Sequence, residues 1–238
     1  AWERHHQAGK TDAVTGRFFE PRPSEEFYDN FKDFHNVDNQ IDDPLHQTKI
    51  KELKKELRRQ QLKYFDSGLM PEEMRNRIIK EKKTTVYAFV RDPKLYPLAK
   101  YLDYADLALA RNKENLKTLT QGLKANDPAI RYWSVVGLLL LEKGAKPAIP
   151  SLKKVLEDQD EIPPLAAWAI YKAGDKTFAE KWMLETITNN SGNKMLANVL
   201  DWMGENSHAI LEKIPAGKLP QKGLLKDVVN RAEARKRG

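Results

Sequence analysis

A recurring pair of helical segments constrains the fold of this chain more than any other feature, and three glycines thirty residues apart accompany it. Gly144 ends the apolar segment "LLLLEKG", Gly174 ends "AAWAIYKAG" and Gly204 ends "NVLDWMG". A second, more amphipathic helical segment follows each glycine. A pair of helices with apolar stripes on both members cannot bury those stripes alone, so successive pairs stack on one another. The pattern predicts a mainly α fold, an α-α superhelix of short helical repeats over residues 98–215.

The chain before these repeats divides into shorter segments. A helix with one apolar face is predicted to end near Gly68, and a charged helix follows it up to Lys83. The apolar face of the first helix consists of Ile50, Leu53, Leu57 and Tyr64. Residues 84–97, "TTVYAFVRDPKLYP", are β-branched and aromatic, with two prolines that predict an irregular connector with local extended character. We expect four parts: residues 1–83, the connector 84–97, the repeats 98–215 and a basic C-terminal tail 216–238.

The segment "RFFEPRPSEEFYDN", residues 17–30, has a different character from the rest. It is aromatic, contains two prolines and shows no stripe of helical period. We therefore expect extended structure with one short strand at Glu26–Tyr28, followed by a polar loop that ends at Asp43-Pro44.

Composition excludes several classes of protein. Among the 238 residues, 40% are hydrophobic and 32% charged, and none is cysteine, which excludes disulfides, thiolate metal sites and a cysteine nucleophile. No segment approaches the roughly 20 apolar residues that span a bilayer, so no membrane insertion is predicted. The net charge is +7, although residues 1–48 hold ten Asp/Glu against five Lys/Arg. The positive excess lies in "KIKELKKELRR", residues 49–59, and between Lys218 and Arg237.

Several segments together resemble one known family. They are "AWERHHQAGKTDAVTGRFFEPRPSEEFYD", "NVDNQIDDPLHQTKIKELKKELRRQQLKYFDSGLMPE" and "AIRYWSVVGLLLL". In their order and spacing the chain resembles the C-terminal region of a bacterial sulfatase-family protein, of the heparan N-sulfatase-like type, with a HEAT-like repeat extension. "DPAIRYWSVVGLL" is similar to the second helix of a short HEAT-like repeat. The chain departs from the family pattern at Asn30, at residues 33–36 ("DFHN") and at Gln40.

The resemblance implies an arrangement for the opening segment. It places Glu25–Asp29 as a strand of a small C-terminal antiparallel sheet whose neighbouring strands lie upstream. Residues 1–47 are then expected to be loosely held, docked on the helices or paired with another copy. An aromatic group is expected to contact the missing N-terminal catalytic domain: Trp2, Phe18, Phe19, Phe27 and Tyr28. The resemblance also implies a periplasmic or secreted location and a full-length parent that hydrolyses sulfuric esters.

The residues needed for catalysis by that family are not found in this chain. Sulfatases need a formylglycine made from Cys/Ser-x-Pro-x-Arg, and no serine here has proline two and arginine four positions later. The histidines at positions 5, 6, 35, 46 and 208 lack the spacing of a metal site, and no Gly-rich phosphate loop is found. Asp158, Asp160 and Glu161 are expected to be solvated loop residues. We therefore predict that this chain is not an enzyme and has no catalytic residue, cofactor site or metal ligand.

Two classes of binding function stay open. If the parent acts on sulfated glycans, a basic helix face could contact the polyanion: Lys51, Lys54, Lys55, Arg58 and Arg59. The alternative is a stand-alone HEAT-like repeat protein that binds a protein partner or, less favoured, nucleic acid. The tryptophans of the repeat helices either pack in the core or form an aromatic platform: Trp133, Trp168, Trp182 and Trp202.

Overall fold

The computed structural model describes residues 1–20, 22–158, 160–219 and 222–236. It is mainly helical, which confirms the predicted fold class at that level. The chain divides into two compact units, residues 1–64 (unit 1) and residues 65–237 (unit 2). The boundary predicted after Lys83 therefore lies inside unit 2. The reason is that the helix before Lys83 contributes Met74, which is fully buried, to a hydrophobic core that begins at Leu69.

Unit 1 has α1 at its beginning and α2 at its end. Their bounds are α1 Trp2–Gln7 and α2 Gln47–Tyr64, with 3-10 turns at Arg17–Phe19 and Pro44–His46. The turn before α2 forms because the Asp43 carboxylate accepts a hydrogen bond from the Leu45 amide at 2.9 Å. Along α2 only Ile50 is buried, so most of this amphipathic helix faces solvent.

The strand predicted at Glu26–Tyr28 is wrong, because no residue of the described ranges forms a β-ladder. The backbone there finds a different partner. The Phe27 amide donates to the Asn39 side-chain oxygen at 2.9 Å, and the Gln40 amide donates to the Phe27 carbonyl at 2.8 Å. A loop of the same unit thus satisfies the polar groups of this segment, as unpaired backbone groups require.

Unit 2 begins with α3, Glu72–Glu81, and α4, Val86–Phe89. The second of these corrects the prediction of an irregular, partly extended connector at residues 84–97. Thr85 caps α4 by accepting a hydrogen bond from the Ala88 amide at 3.2 Å. Phe89 and Tyr96 are buried in the core with ring centroids 5.4 Å apart. The aromatic residues of the connector therefore belong to the hydrophobic core.

The remaining helices divide into two sets by their packing, which we call the helical rows. They are α5 Leu98–Leu109, α6 Leu116–Gly122, α7 Pro128–Leu140, α8 Ile149–Val155, α9 Pro163–Ala173, α10 Lys176–Asn189, α11 Lys194–Met203, α12 His208–Leu211 and α13 Leu224–Lys236. The odd-numbered helices α5 to α13 pack consecutively against one another. In the second row α6 packs on α7, α8 and α10 pack on α9, and α12 packs on α10. This paired packing is compatible with the predicted all-α repeat.

The three glycines of the thirty-residue interval have different backbone conformations. Gly174 ends α9 with φ +117°, and Gly204 follows α11 with φ +55°. Both are left-handed conformations that favour glycine as the residue after a helix. Gly144 instead lies in the 3-10 segment Glu142–Ala148, and the positive φ at that helix end belongs to Glu142, at +49°. The repeat in sequence is therefore only partly a repeat in backbone geometry.

Three side chains of unit 2, from Tyr96, Trp133 and Arg131, bind loops through the backbone carbonyls of those loops. The Tyr96 hydroxyl donates to the Asp66 carbonyl at 3.0 Å, and the Trp133 indole donates to the Leu69 carbonyl at 2.8 Å. Arg131 donates to the carbonyls of Ala125 and Asn126 at 2.9 and 3.2 Å. These loops therefore depend on a few donors located on other parts of the chain.

The end of the chain is not the basic tail predicted for residues 216–238. The described part of that range includes α13, which packs against α11. Four of its side chains are buried in the core because they recur at helical spacing: Leu225, Val228, Val229 and Ala232. The prediction was based on the basic residues of this segment and overlooked its apolar stripe.

Candidate functional site

Three of the five predicted interdomain residues form a surface cluster in unit 1. The Trp2 ring lies 4.8 Å from Phe18 and 5.1 Å from Phe19, measured between ring centroids. His6 stacks on Phe19 at 4.4 Å. Trp2 and Phe18 remain exposed, at 47% and 60% of their surface. We call Trp2, Phe18 and Phe19 the aromatic cluster.

Phe27 and Tyr28, the other two predicted residues, lie outside this cluster. Phe27 is half-buried and contacts the His46 ring at 5.2 Å. Tyr28 is also half-buried, and partial burial together with the Glu26 carboxylate raises the pKa of its phenol. The sequence thus identified five aromatic residues, and the structure brings three of them together.

Unit 1 exposes large apolar side chains well beyond the aromatic cluster. Phe34 is 84% exposed, and Leu57 on α2 is 61% exposed. The other exposed members in unit 1 are Val14, Phe31, Leu45, Leu53, Leu62 and Tyr64. Within unit 1, ring contacts join exposed apolar side chains in the aromatic cluster, and such a joined apolar patch is typical of an interaction site.

The basic residues predicted to contact a polyanion all lie on α2, but internal partners neutralise part of their charge. Lys54 forms an ion pair with Glu25 at 2.6 Å, and Arg59 binds Glu56 at 2.6 Å. Hydrogen bonds from Arg59 and Gln60 lower the pKa of Glu56 to about 2. The helix places the five cations Lys51, Lys54, Lys55, Arg58 and Arg59 close together. Among the described residues, Lys51 and Lys55 have no ion-pair partner.

In unit 2 a cleft of about 550 Å³ lies beside a network of ion pairs. Arg131 bonds Asp158 at 3.1 Å and Asp160 at 2.5 Å. Arg77 makes a two-pronged contact with Glu161, at 3.0 and 3.1 Å, and these bonds raise the pKa of its guanidinium. The sequence-based interpretation of Asp158, Asp160 and Glu161 as solvated was therefore wrong for Asp160, whose side chain is only 8% exposed.

Two buried tyrosines lie near this network. The Tyr101 hydroxyl donates to the Asp127 carboxylate at 2.8 Å, and Asp127 also accepts from the Ala129 amide at the start of α7. Desolvation, the main cause, and the Asp127 charge raise the pKa of Tyr101. Desolvation raises the pKa of Tyr96 to about 12. Both phenols are therefore protonated at neutral pH and act as hydrogen-bond donors.

The four tryptophans of unit 2 divide between the two interpretations made from the sequence. Trp133, Trp168 and Trp182 are partly buried and pack against the core. Trp202 is 55% exposed, and its ring centroid lies 6.3 Å from that of Trp168. Core packing thus accounts for three of them, and Trp202 adds exposed aromatic surface to α11.

The described residues contain neither a cluster of metal ligands nor a membrane-spanning helix. No group of three or more His, Asp or Glu side chains among them is arranged to hold a metal ion. Within the same residues, every helix is too short or too polar to cross a bilayer.

No family model, curated protein or solved structure was found to match this chain. The resemblance to sulfatases and to HEAT-like repeats therefore stays a prediction from the sequence.

Proposed function

We propose that the chain is a non-catalytic C-terminal module of a sulfatase-like hydrolase. In this proposal unit 1 is the remnant of a sulfatase C-terminal subdomain, which docks on the catalytic domain. Unit 2 is a superhelix of HEAT-like repeats that serves as a scaffold for interdomain, protein or sulfated-glycan contacts. The exposed apolar surface of unit 1 is the observation that carries the proposal.

The amount of that surface favours docking onto another domain. Large apolar side chains such as Phe34 and Leu57 are 84% and 61% exposed here, which leaves apolar surface for a docking partner to cover. Aromatic residues supply much of the binding energy where proteins associate. The aromatic cluster of Trp2, Phe18 and Phe19 would supply such an anchor for the catalytic domain.

The polar residues of unit 2 support a structural rather than a chemical role. Arg131 and Arg77 in the cleft are bonded to carboxylates of the same unit, and Tyr101 donates to Asp127. In this proposal the sulfuric ester chemistry belongs to the catalytic domain. The location that follows from the proposal is the periplasm or the exterior of the cell.

The reading frame upstream of the codon for Ala1 tests the sulfatase part directly. We expect it to encode a Cys/Ser-x-Pro-x-Arg sequence in the same polypeptide. An initiator methionine or a signal peptide immediately before Ala1 would contradict the proposal.

A binding measurement tests the docking part. Phe18→Asp should weaken association of the chain with its separately produced catalytic domain, because it removes the most exposed ring of the aromatic cluster. Trp202→Asp, an equally drastic change at an exposed aromatic residue of unit 2, is the matched control and should weaken that affinity less, because the proposal places the docking anchor in unit 1. Equal losses for the two variants would count against unit 1 as the docking surface.

One observation favours the alternative of a stand-alone helical-repeat protein that binds a protein or nucleic acid. Unit 2 has its own core, which α13 extends to the end of the described chain. Limited proteolysis of the whole chain separates the two proposals. If the catalytic domain protects unit 1 from cleavage, the docking module is favoured, whereas unchanged cleavage favours the stand-alone protein.

A further inference from the structure

Residues 111–155 of unit 2 carry an excess of positive charge, as does the stretch between Lys218 and Arg237. Residues 111–155 contain nine Lys/Arg and three Asp/Glu, whereas residues 156–206 contain four Lys/Arg and nine Asp/Glu. By net charge, a polyanion would therefore be attracted more strongly to the first of these segments than to the second.

Four lysines of the positive segment lie on adjacent elements. The Lys113 side chain passes over Gly144, with its Cε 3.5 Å from the position that a Cβ would take there. Lys143 and Lys146 flank Gly144 in the 3-10 segment, and Lys117 follows Lys113 by one helical turn at the start of α6. All four are exposed. We call Lys113, Lys117, Lys143 and Lys146 the lysine surface.

The charges of the lysine surface are not neutralised within the molecule. None of its four ammonium groups bonds a residue that the structure describes. The acidic residues nearest in sequence have other partners, because Glu142 pairs with Lys172 at 2.8 Å and Glu114 accepts from Asn112 at 3.3 Å. On α2, by contrast, Lys54 and Arg59 are ion-paired, and Lys51 and Lys55 are the two lysines there with no ion-pair partner among the described residues.

We propose that the lysine surface binds a linear sulfated polysaccharide, an inference that rests on the proposed function and assigns its glycan contact to unit 2. Exposed lysines are point charges suited to sulfate groups. The aromatic residues of positions 111–155 are Tyr132 and Trp133, both half-buried on α7, so this surface lacks the exposed rings on which single-stranded bases stack. Among the described residues 110–200 no large apolar side chain is exposed, so the apolar centre of a protein interface is also missing.

Two matched double variants of the full chain test this assignment. Lys143→Glu/Lys146→Glu changes the lysine surface, and Lys51→Glu/Lys55→Glu makes the same change of charge at the two unpaired lysines of α2. The probe is a heparin oligosaccharide, and binding is measured from low to physiological salt. We expect Lys143→Glu/Lys146→Glu to weaken binding by about tenfold or more. The slope of log affinity against log salt should fall by roughly 1.5, since each lost contact to a polyanion removes about 0.7 to 0.9. The α2 double variant should bind like the wild type.

Every other outcome overturns the assignment. An equal or larger loss for Lys51→Glu/Lys55→Glu would locate the contact on α2. Unchanged binding by both variants would exclude the lysine surface, while the docking of unit 1 would remain to be decided by the Phe18→Asp measurement. A desulfated oligosaccharide or a DNA duplex of equal length that binds as tightly as heparin would show that sulfated polysaccharide is not the preferred ligand. Circular dichroism of each variant checks the fold, which these exposed positions should leave intact.

Discussion

Arg131 joins two loops of unit 2 through its ion pairs and hydrogen bonds. Its guanidinium bonds Asp158 and Asp160 in one loop and the carbonyls of Ala125 and Asn126 in another. Its side chain is 18% exposed and that of Asp160 is 8% exposed. Removing one partner of such a pair leaves the other charge buried and uncompensated, which costs far more than the pair contributes.

We therefore expect Arg131→Ala to lower the free energy of unfolding by about 3 to 5 kcal/mol. Arg231→Ala is the matched control, because Arg231 pairs with Asp201 at 3.0 Å while its side chain stays 45% exposed. That change should cost less than about 1 kcal/mol. Urea unfolding of both variants measures the difference, and equal losses would contradict this account of Arg131.

Tyr96 and Tyr101 link the stability of unit 2 to alkaline pH. Their pKa values are raised in the folded chain, Tyr96 to about 12, while the unfolded value is 10.0. Above pH 10 the unfolded chain loses these protons and the folded chain keeps them, so stability present below pH 10 is lost as pH rises. Each tyrosine contributes a fall of up to about 1.4 kcal/mol per pH unit. Urea unfolding between pH 9 and 11 should show a shallower fall for Tyr101→Phe than for the wild type.

At the scale of single elements, the backbone conformation at each helix end determines whether a repeated glycine is required there. Gly174 has a left-handed φ of +117°, and a Cβ there would meet nothing within 4 Å. Any cost of a side chain at position 174 is therefore a backbone cost. Gly144 has no such φ, and a Cβ there would make ordinary contacts with Lys113 at 3.5 Å.

We expect the same substitution to have opposite effects at these two glycines. Gly174→Ala should destabilise the chain by about 1 to 2 kcal/mol because alanine resists the left-handed conformation. Gly144→Ala should be neutral or stabilise it by up to about 1 kcal/mol, since it restricts the unfolded chain. Thermal unfolding of the two variants gives the comparison. A loss at position 144 as large as that at 174 would mean that the glycines share one structural role.

The sequence predicted those elements whose signal is local. The apolar stripes of α7, α9 and α11 identified the main helices, because helical periodicity needs only neighbouring residues. The strand at Glu26–Tyr28 failed because a strand needs a partner, and the Phe27 backbone bonds Asn39 and Gln40 instead. The ion pair of Arg131 with Asp160 joins residues 29 positions apart, and no local pattern reports such a contact.

For the candidate sites too, local sequence features could be predicted and contacts between distant residues could not. The aromatic cluster could be found from composition, whereas the partners of Lys54 and Arg59 could not. The lysine surface had no signal in the spacing of its residues, because Lys113 and Gly144 meet only through the packing of α6 against the 3-10 segment.

At the scale of the whole molecule, α13 completes the core of unit 2. Leu225 is 4% exposed and is part of one core cluster that begins at Leu69. A helix that buries its apolar side against the last helices of a stack protects them from solvent.

Leu225→Ala should therefore lower the free energy of unfolding by about 2 to 5 kcal/mol, as expected for a buried leucine. Asn230→Ala, on the exposed side of the same helix, should stay within about 0.5 kcal/mol of the wild type. Chemical denaturation compares the two. A negligible loss for Leu225→Ala would restore the interpretation of residues 216–238 as a tail.

The loops that Tyr96, Trp133 and Arg131 hold are bound through main-chain carbonyls, a group that every amino acid carries. Residues of these loops can therefore be substituted without loss of those hydrogen bonds. The three donors act through their side chains, so few other residues can replace them. We therefore expect the chain to tolerate substitutions in these loops far better than substitutions of the three donors, so that a few side chains constrain the sequence more than the segments they bind.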